Sequence, residues 1–265
     1  MIQTQKFDQL EILTAQGITV PHGFTTRYGG VSSGIFSSMN IAIKEGETQE
    51  NVKENLRILG NALGFGLSDL VLTRQTHTDI VRAVDRADAI SCFHRDYPEC
   101  DGLVTNTPGL ALMIFTADCT PLLLHDPVTG AVGAAHAGWR GTASAIGAKT
   151  VESMVKNYGC KPEDIHAAIG PNIGQCCFQT DADVPDAMLS AFGCEVEQFI
   201  EEKDNKYYVN LKEINALILR RAGVRHIEIS DACTACQPHR FWSHRVTRGQ
   251  RGSQGAVIVC KEVRK

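Results

Sequence analysis

The chain lacks any apolar run approaching the roughly 20 residues of a membrane-spanning helix. Its start, MIQTQKFDQLEILTAQG, lacks a basic segment followed by an apolar core. A cytoplasmic protein with no membrane partner is therefore predicted. No long block of one charge sign is present either: 26 Lys and Arg stand against 30 Asp and Glu, a formal net charge of -4, which argues against nucleic acid as a main partner. Repeats, low-complexity tracts and proline-rich linkers are absent, so residues 1–265 are read as a single domain. At this length, with 43% hydrophobic residues, the core is large enough to fold without staples. The ten cysteines are irregularly spaced, Cys176 and Cys177 being adjacent. Without an export signal they are read as reduced thiols, most of them small buried hydrophobes.

Several elements are legible from pattern. Ile18 to Thr26 reads as a strand and is followed by a Gly- and Ser-rich loop, Arg27 to Ser37, flexible enough to wrap a ligand. Val52, Leu56, Leu59 and Leu63 recur at helical spacing behind Thr48, a candidate N-cap, which predicts an amphipathic helix from about Gln49 to Leu63. Short apolar runs at Leu70–Leu72, Leu110–Phe115, Pro121–Leu124 and Ala131–Ala135 read as buried strands. Helices are expected at about Thr142–Tyr158, Val184–Phe192 and Leu211–Ala222. They alternate with strands near Ile165–Ile169, His226–Ile229 and Ala256–Cys260. The mixture argues for an α/β or α+β layered sandwich.

Three of these strands run into residues capable of metal chemistry: His77, the Asp118-Cys119 pair, and His136 before a Gly-rich turn. Imidazole and thiolate are good zinc ligands, and a three-ligand set leaves a position for water or substrate. The spacing matches no compact ligand motif, so separate histidines and a buried cysteine are the bland alternative. In His136-Ala-Gly-Trp-Arg-Gly-Thr142, glycines at a strand-to-helix turn and the forked guanidinium of Arg140 could cradle phosphate. The competing reading is a tight turn with Thr142 as helix cap and Trp139 as core filler. Cys233-Thr-Ala-Cys236-Gln-Pro-His239 lacks a convincing fourth ligand, although Cys176 or Cys177 could supply one. A local turn with buried thiols is the expectation there.

Seven ordered segments carry a resemblance: His22-Gly-Phe-Thr-Thr-Arg-Tyr-Gly-Gly-Val-Ser, Gln75-Thr-His77, Asp101-Gly-Leu-Val-Thr, Ala117-Asp-Cys119-Thr-Pro, His136-Ala-Gly-Trp-Arg-Gly-Thr, Ile169-Gly-Pro-Asn-Ile-Gly-Gln-Cys-Cys and Asp231-Ala-Cys-Thr-Ala-Cys. Together they resemble the bacterial YlmD/YfiH-like, laccase-domain purine nucleoside phosphorylases, related to the metazoan protein FAMIN. The expected fold is then α+β, a layered α/β/β/α sandwich of mixed sheets. The resemblance implies zinc bound by His77, Cys119 and His136, with Cu2+ as an alternative occupant. It implies phosphorolysis of adenosine, methylthioadenosine or inosine with phosphate as co-substrate, and adenosine deamination as a second reaction. It puts Arg27, Ser37 and Asn40 in a ligand-contacting loop, and sets Gln75, Asp118 and Arg140 beside the metal positions as candidate substrate contacts. One departure stands out: the family pattern Ser-Tyr-Arg-Arg and later Gly-Arg is here Ser243-His-Arg-Val246 and Gly252-Ser253. Compensation would fall to Arg245, Arg248 or Arg251.

Three competitors remain at this stage. Cys119 with His136 or His77 could be a cysteine hydrolase. A copper phenol oxidase needs many converging imidazoles, whereas nine histidines are scattered here with no His-x-His pair. A non-catalytic module with a structural zinc, linked to peptidoglycan precursor editing, is the third. Asp118 and Asp101 are candidates for acid, base or orienter of a ligating histidine.

Overall fold

The computed structural model describes residues 1–89 and 97–262. In chain order the elements are β1 (Ile2–Phe7), β2 (Leu10–Ala15), β3 (His22–Thr25), α1 (Gln49–Leu63), β4 (Leu70–Leu72), β5 (Val81–Ala83), β6 (Gly102–Thr105), β7 (Ala111–Thr116), β8 (Thr120–His125), β9 (Val132–Ala137), α2 (Trp139–Ala143), α3 (Ile146–Tyr158), β10 (His166–Ile169), β11 (Gln179–Thr180), α4 (Asp183–Phe192), β12 (Ile200–Lys203), β13 (Lys206–Val209), α5 (Leu211–Arg221), β14 (His226–Ile229), α6 (His244–Thr247) and β15 (Gln254–Val259). One six-stranded sheet runs β1-β2-β3-β15-β7-β4 and a second β14-β10-β8-β9-β6-β5, while β11-β13-β12 form a small third sheet. Both large sheets are mixed, since β4–β7, β5–β6 and β10–β14 are parallel pairs among antiparallel ones.

Strand alternation builds the layers. Leu112, Ile114 and Ile258 of the first sheet meet Leu103, Leu123 and Ala134 of the second in one shared core. The intervening Met113 and Val257 face outward onto Val52, Leu56, Leu59 and Leu63 of α1. Leu122, Leu124 and Ala135 carry the other outer face, against Ile146 and Met154 of α3 and Leu219 of α5. Because both faces of each central strand are buried, these strands read as unbroken apolar runs in the sequence. The result is an α+β sandwich layered α/β/β/α. No helix among the described residues is long and apolar enough to cross a membrane.

Helix α1 follows its sequence signals: the Thr48 side chain accepts from the Asn51 N–H, and Gly64 ends the helix in the left-handed region. The helix expected over Thr142–Tyr158 is different. It starts earlier, at Trp139, and breaks at Ser144–Ala145, where Ala145 has φ 57°. Gly138, not Thr142, occupies the N-cap. Thr142 is buried inside α2, and its Oγ1 accepts from Asn215 Nδ2 of α5 at 3.0 Å. The break lets α2 and α3 pack separately, with Trp139, Ala143 and Ala145 turned toward the apolar cluster of α4 and α5.

Candidate metal centre and active site

The candidate site lies where the chain crosses between the two large sheets. β4 ends in the first sheet and β5 begins in the second, with His77 on the connection; β7 and β8 are divided in the same way, with Cys119 between them. His136 sits within β9, opposite Pro121. The ligand atoms of His77, Cys119 and His136 all lie within 4.8 Å of one another. Cys119 Sγ is 4.0 Å from His77 Nε2, and the two imidazoles meet edge to face with centroids 5.1 Å apart. Burial is graded: His136 is buried, Cys119 half-buried and His77 exposed.

Asp101 organises both histidines. Fully buried, its carboxylate accepts from the His136 imidazole at Nδ1 (2.7 Å), from the backbone N–H groups of Thr76, His77 and Thr78, and from the Thr78 hydroxyl (2.8 Å). The Asp101 carbonyl also accepts from the His136 N–H at 2.7 Å. The three successive N–H donors hold His77 at φ 62°, a left-handed conformation uncommon outside glycine. Binding Nδ1 to Asp101 turns Nε2 of His136 toward Cys119. Gly138 completes the pocket wall, since a Cβ there would stand 2.8 Å from His77 Cδ2 and 3.4 Å from Cys119 Sγ.

Electrostatics follow from this packing. Burial alone would raise the Cys119 thiol, but His136 and then His77 outweigh it and bring the pKa to about 6. Burial alone would lower His136, yet Cys119 and Asp101 raise it to about 9. The pair thus favours thiolate beside imidazolium near neutral pH. Burial works against the Asp101 carboxylate, but hydrogen bonds from His136 and Thr78 leave its pKa below the usual value.

The other expected contacts divide by what their side chains already bond. Asn40 is fully buried, its Nδ2 donating to Ala42 O and Glu47 Oε2 and its Oδ1 accepting from the N–H groups of Ala42 and Ser253. Gln75 clamps β4 to β7 through the backbone of Phe115. Asp118, at φ 86°, accepts from Thr234 Oγ1, Ser243 Oγ and the Arg245 N–H. Arg27 lies 3.8 Å over the Trp242 ring and donates to the carbonyls of Pro238 and Ser37. The Ser37 side chain is exposed. Arg140 is exposed and stacks on Trp139 at 4.2 Å.

Among the arginines left to compensate for the altered C-terminal pattern, the structure separates three roles. Arg245 donates outward to the carbonyls of Cys177 and Gln179, and Arg248 is the exposed left-handed residue ending α6. Arg251 lies in electrostatic reach of Asp118 and Cys119. It rests on Ser253 and Gly252, and its buried Nε has no protein partner. Lys44 stands close enough for its charge to be felt by Arg251, and burial followed by that repulsion lowers its pKa. The sequence carried no signal for Lys44. The glycine of the His-Ala-Gly-Trp-Arg-Gly run is visible in the sequence, but its closeness to His77 and Cys119 is not, because it depends on the crossing of distant segments.

The cysteine expectation needs correction. Cys176, Cys177, Cys233 and Cys236 do not form an isolated turn with buried thiols: their sulfur atoms gather within 4.8 Å, with Cys176 and Cys236 exposed. A parallel bridge between Asn172 and Cys233 draws the two segments together, a pairing invisible in either alone. His239 is exposed and outside that group. All described cysteines are free; Cys92 lies outside the described residues.

The family model described as "multi-copper polyphenol oxidoreductase laccase" matches residues 21–261. A purine nucleoside phosphorylase of Deinococcus radiodurans is 40% identical over 252 residues, covering 94% of this chain and 92% of that one. Adenosine deaminase RL5, from an unknown prokaryotic organism, is 32% identical over 252 residues, covering 92% and 94%. The crystal structure of YlmD from Geobacillus stearothermophilus matches with TM-score 0.91 at 36% identity, over 98% of this chain and 99% of that one. The sandwich, the His/Cys cluster at its end and these matches over nearly the whole length agree: the chain belongs to the YlmD/YfiH-like, FAMIN-related family of purine nucleoside phosphorylases.

Proposed function

We propose that this chain is a zinc-dependent purine nucleoside phosphorylase acting on adenosine, methylthioadenosine or inosine, with adenosine deamination as a second activity. The observation that carries this reading is the convergence of His77, Cys119 and His136. Two imidazoles and one thiolate suit zinc and leave a fourth side open. The surroundings fit such an ion: Asp101 fixes the tautomer of His136, and Gly138 leaves the space that a Cβ would fill. Cys119 Sγ and His77 Nε2 stand 4.0 Å apart, close to the ~3.6 Å sulfur–nitrogen separation of a tetrahedral zinc. Cu2+ would be accepted by the same donors. When bound, the ion supplies Lewis acidity toward sugar or base.

Phosphorolysis forms a bond from a phosphate oxygen to the anomeric carbon and breaks the bond from that carbon to the purine nitrogen. The electron pair leaves on the base, which takes up a proton. The protein must hold a multiply charged anion against the ribose, and cations do this best. Arg251, with its free Nε, and Lys44 beside it are our candidates for that cradle, with Arg140 and Arg27 as further substrate contacts. Asn40, Gln75 and Asp118, whose polar atoms are engaged by the scaffold, act by shaping the walls. The names of the relatives, phosphorylases and one adenosine deaminase, support the reaction class.

The test is to incubate metal-analysed protein with adenosine, with and without phosphate, and resolve adenine, inosine and hypoxanthine. Adenine that requires phosphate, with inosine formed independently of it, is expected. No purine product from folded, zinc-loaded protein would overturn the reading.

One observation favours a second reading. Cys119 near 6, His136 and the Asp101 carboxylate at 2.7 Å from its Nδ1 also form the chain of groups of a cysteine hydrolase. Activity of metal-free protein, stoichiometric inactivation at Cys119 and a trapped acyl intermediate would mark that chemistry.

A further inference from the structure

We propose that Cys176, Cys177, Cys233 and Cys236 hold a second, structural zinc ion through four thiolates, separate from the His77/Cys119/His136 centre. The four sulfur atoms converge from two loops remote in sequence, with Cys177–Cys236, Cys176–Cys236 and Cys176–Cys177 separations of 3.4, 3.6 and 3.8 Å. Every one of the four is free. A disulfide would use two of them and leave two more thiols crowded against it. A single tetrahedral cation uses all four.

The surroundings are those of thiolates. The Gly174 N–H donates to Cys233 Sγ at 3.1 Å. The N–H groups of Ala235 and Cys236 also face this sulfur. Backbone donors aimed at the first sulfur of a Cys-x-x-Cys turn stabilise a charged ligand and would be spent on a neutral thiol. Four negative charges cannot be held at this spacing by the protein alone. The ammonium of Lys212, buried and anchored to Ala232 O, is within electrostatic reach of Cys233 and Cys176 and offsets one charge. A divalent cation offsets two more. Its binding sends to solvent one proton for each thiol still protonated. An all-sulfur tetrahedral set selects zinc over oxygen-preferring ions.

The ion would brace the wall behind the active site. The Thr234 N–H bonds Asn172 O, Thr234 Oγ1 donates to Asp118, and Arg245 links the Cys177 carbonyl to the same aspartate through its own N–H. Asp118 precedes Cys119, so fastening the two cysteine loops fastens the turn that presents that ligand.

The test is metal content by elemental analysis of reduced, full-length protein, with thiol titration. Wild type is expected to carry two zinc ions per chain, His77→Ala one, Cys236→Ser one, and the double variant none. Cobalt exchanged into His77→Ala should give the intense sulfur-to-metal absorption of a tetrathiolate, absent in His77→Ala/Cys236→Ser. Should Cys236→Ser not fold, titration of wild type with an organomercurial, following zinc release, gives two separable steps if the proposal is right. A single zinc that disappears with His77→Ala overturns it. So does iron in place of the second zinc, or a disulfide in this group that takes up no metal after reduction. Loss of purine activity in every variant with the second zinc retained leaves this site standing.

Discussion

Replacing Asp101 by asparagine should weaken the metal centre without touching a ligand. The carboxylate receives five donors: three backbone N–H groups, the Thr78 hydroxyl and the His136 imidazole. Asparagine retains the shape but turns one acceptor oxygen into an NH2. At the Oδ2 position that amide would confront the N–H groups of Thr76 and Thr78 and the Thr78 hydroxyl. At Oδ1 it would face the His77 N–H and His136, which must then switch tautomer and place its proton on Nε2, the atom needed for metal. Breaking a buried charged pair of this kind costs about 3–5 kcal/mol. At roughly 2–4 °C per kcal/mol for a chain of this size, the melting midpoint should fall by about 6–20 °C. Zinc affinity should fall about 10–100-fold through loss of the orienting partner. The pH dependence has a defined sign. Because the native carboxyl is held below its ordinary value, its contribution is present above that value and is lost as the pH falls through the native one. The gap between wild type and Asp101→Asn should therefore hold through neutral pH and close in acid below about 4. Thermal unfolding across pH and competition against a chromogenic chelator measure both effects. An Asp101→Asn protein with wild-type melting and wild-type zinc affinity would refute the reasoning.

Three further outcomes follow from the same geometry. Gly138→Ala puts a Cβ 2.8 Å from His77 Cδ2, so His77 must move; loss of one zinc equivalent in a folded protein is expected by elemental analysis. In metal-free protein, alkylation of Cys119 by iodoacetamide should rise with pH around a midpoint near 6, since a lowered pKa puts the thiolate in the majority above that value; peptide mass spectrometry reads it, and a midpoint near that of an ordinary thiol contradicts it. Arg251→Ala should raise the KM for phosphate at least about tenfold, as losing a charge-assisted contact of ~1.5–3 kcal/mol implies, whereas Arg248→Ala leaves it unchanged; steady-state kinetics with varied phosphate decides.

The sequence was informative where structure is local. Helix α1 declared itself through four apolar residues and the Thr48 cap, and β7, β8 and β9 through apolar runs buried on both faces. It was silent where long-range packing decides. Ala145 adopts a left-handed conformation with nothing in its own chemistry to announce it, so one expected helix became two. The β1–β2 hairpin and the small third sheet, whose strands are short and partly exposed, left no periodic trace. At the site, residue types offered His77, Cys119 and His136 beside the alternative of separate histidines and a buried cysteine, and the family resemblance chose the set; neither indicated the fivefold acceptor role of Asp101. Nor could spacing reveal that Cys176 and Cys177 meet Cys233 and Cys236, because parallel pairing of β10 with β14 brings those loops together.

The most direct measurement of the central claim combines zinc content and adenosine phosphorolysis in folded His77→Ala and Cys119→Ala proteins. The account predicts that each variant loses one zinc equivalent and all purine activities together. A folded variant that lacks that zinc yet releases adenine from adenosine and phosphate at the wild-type rate would contradict it.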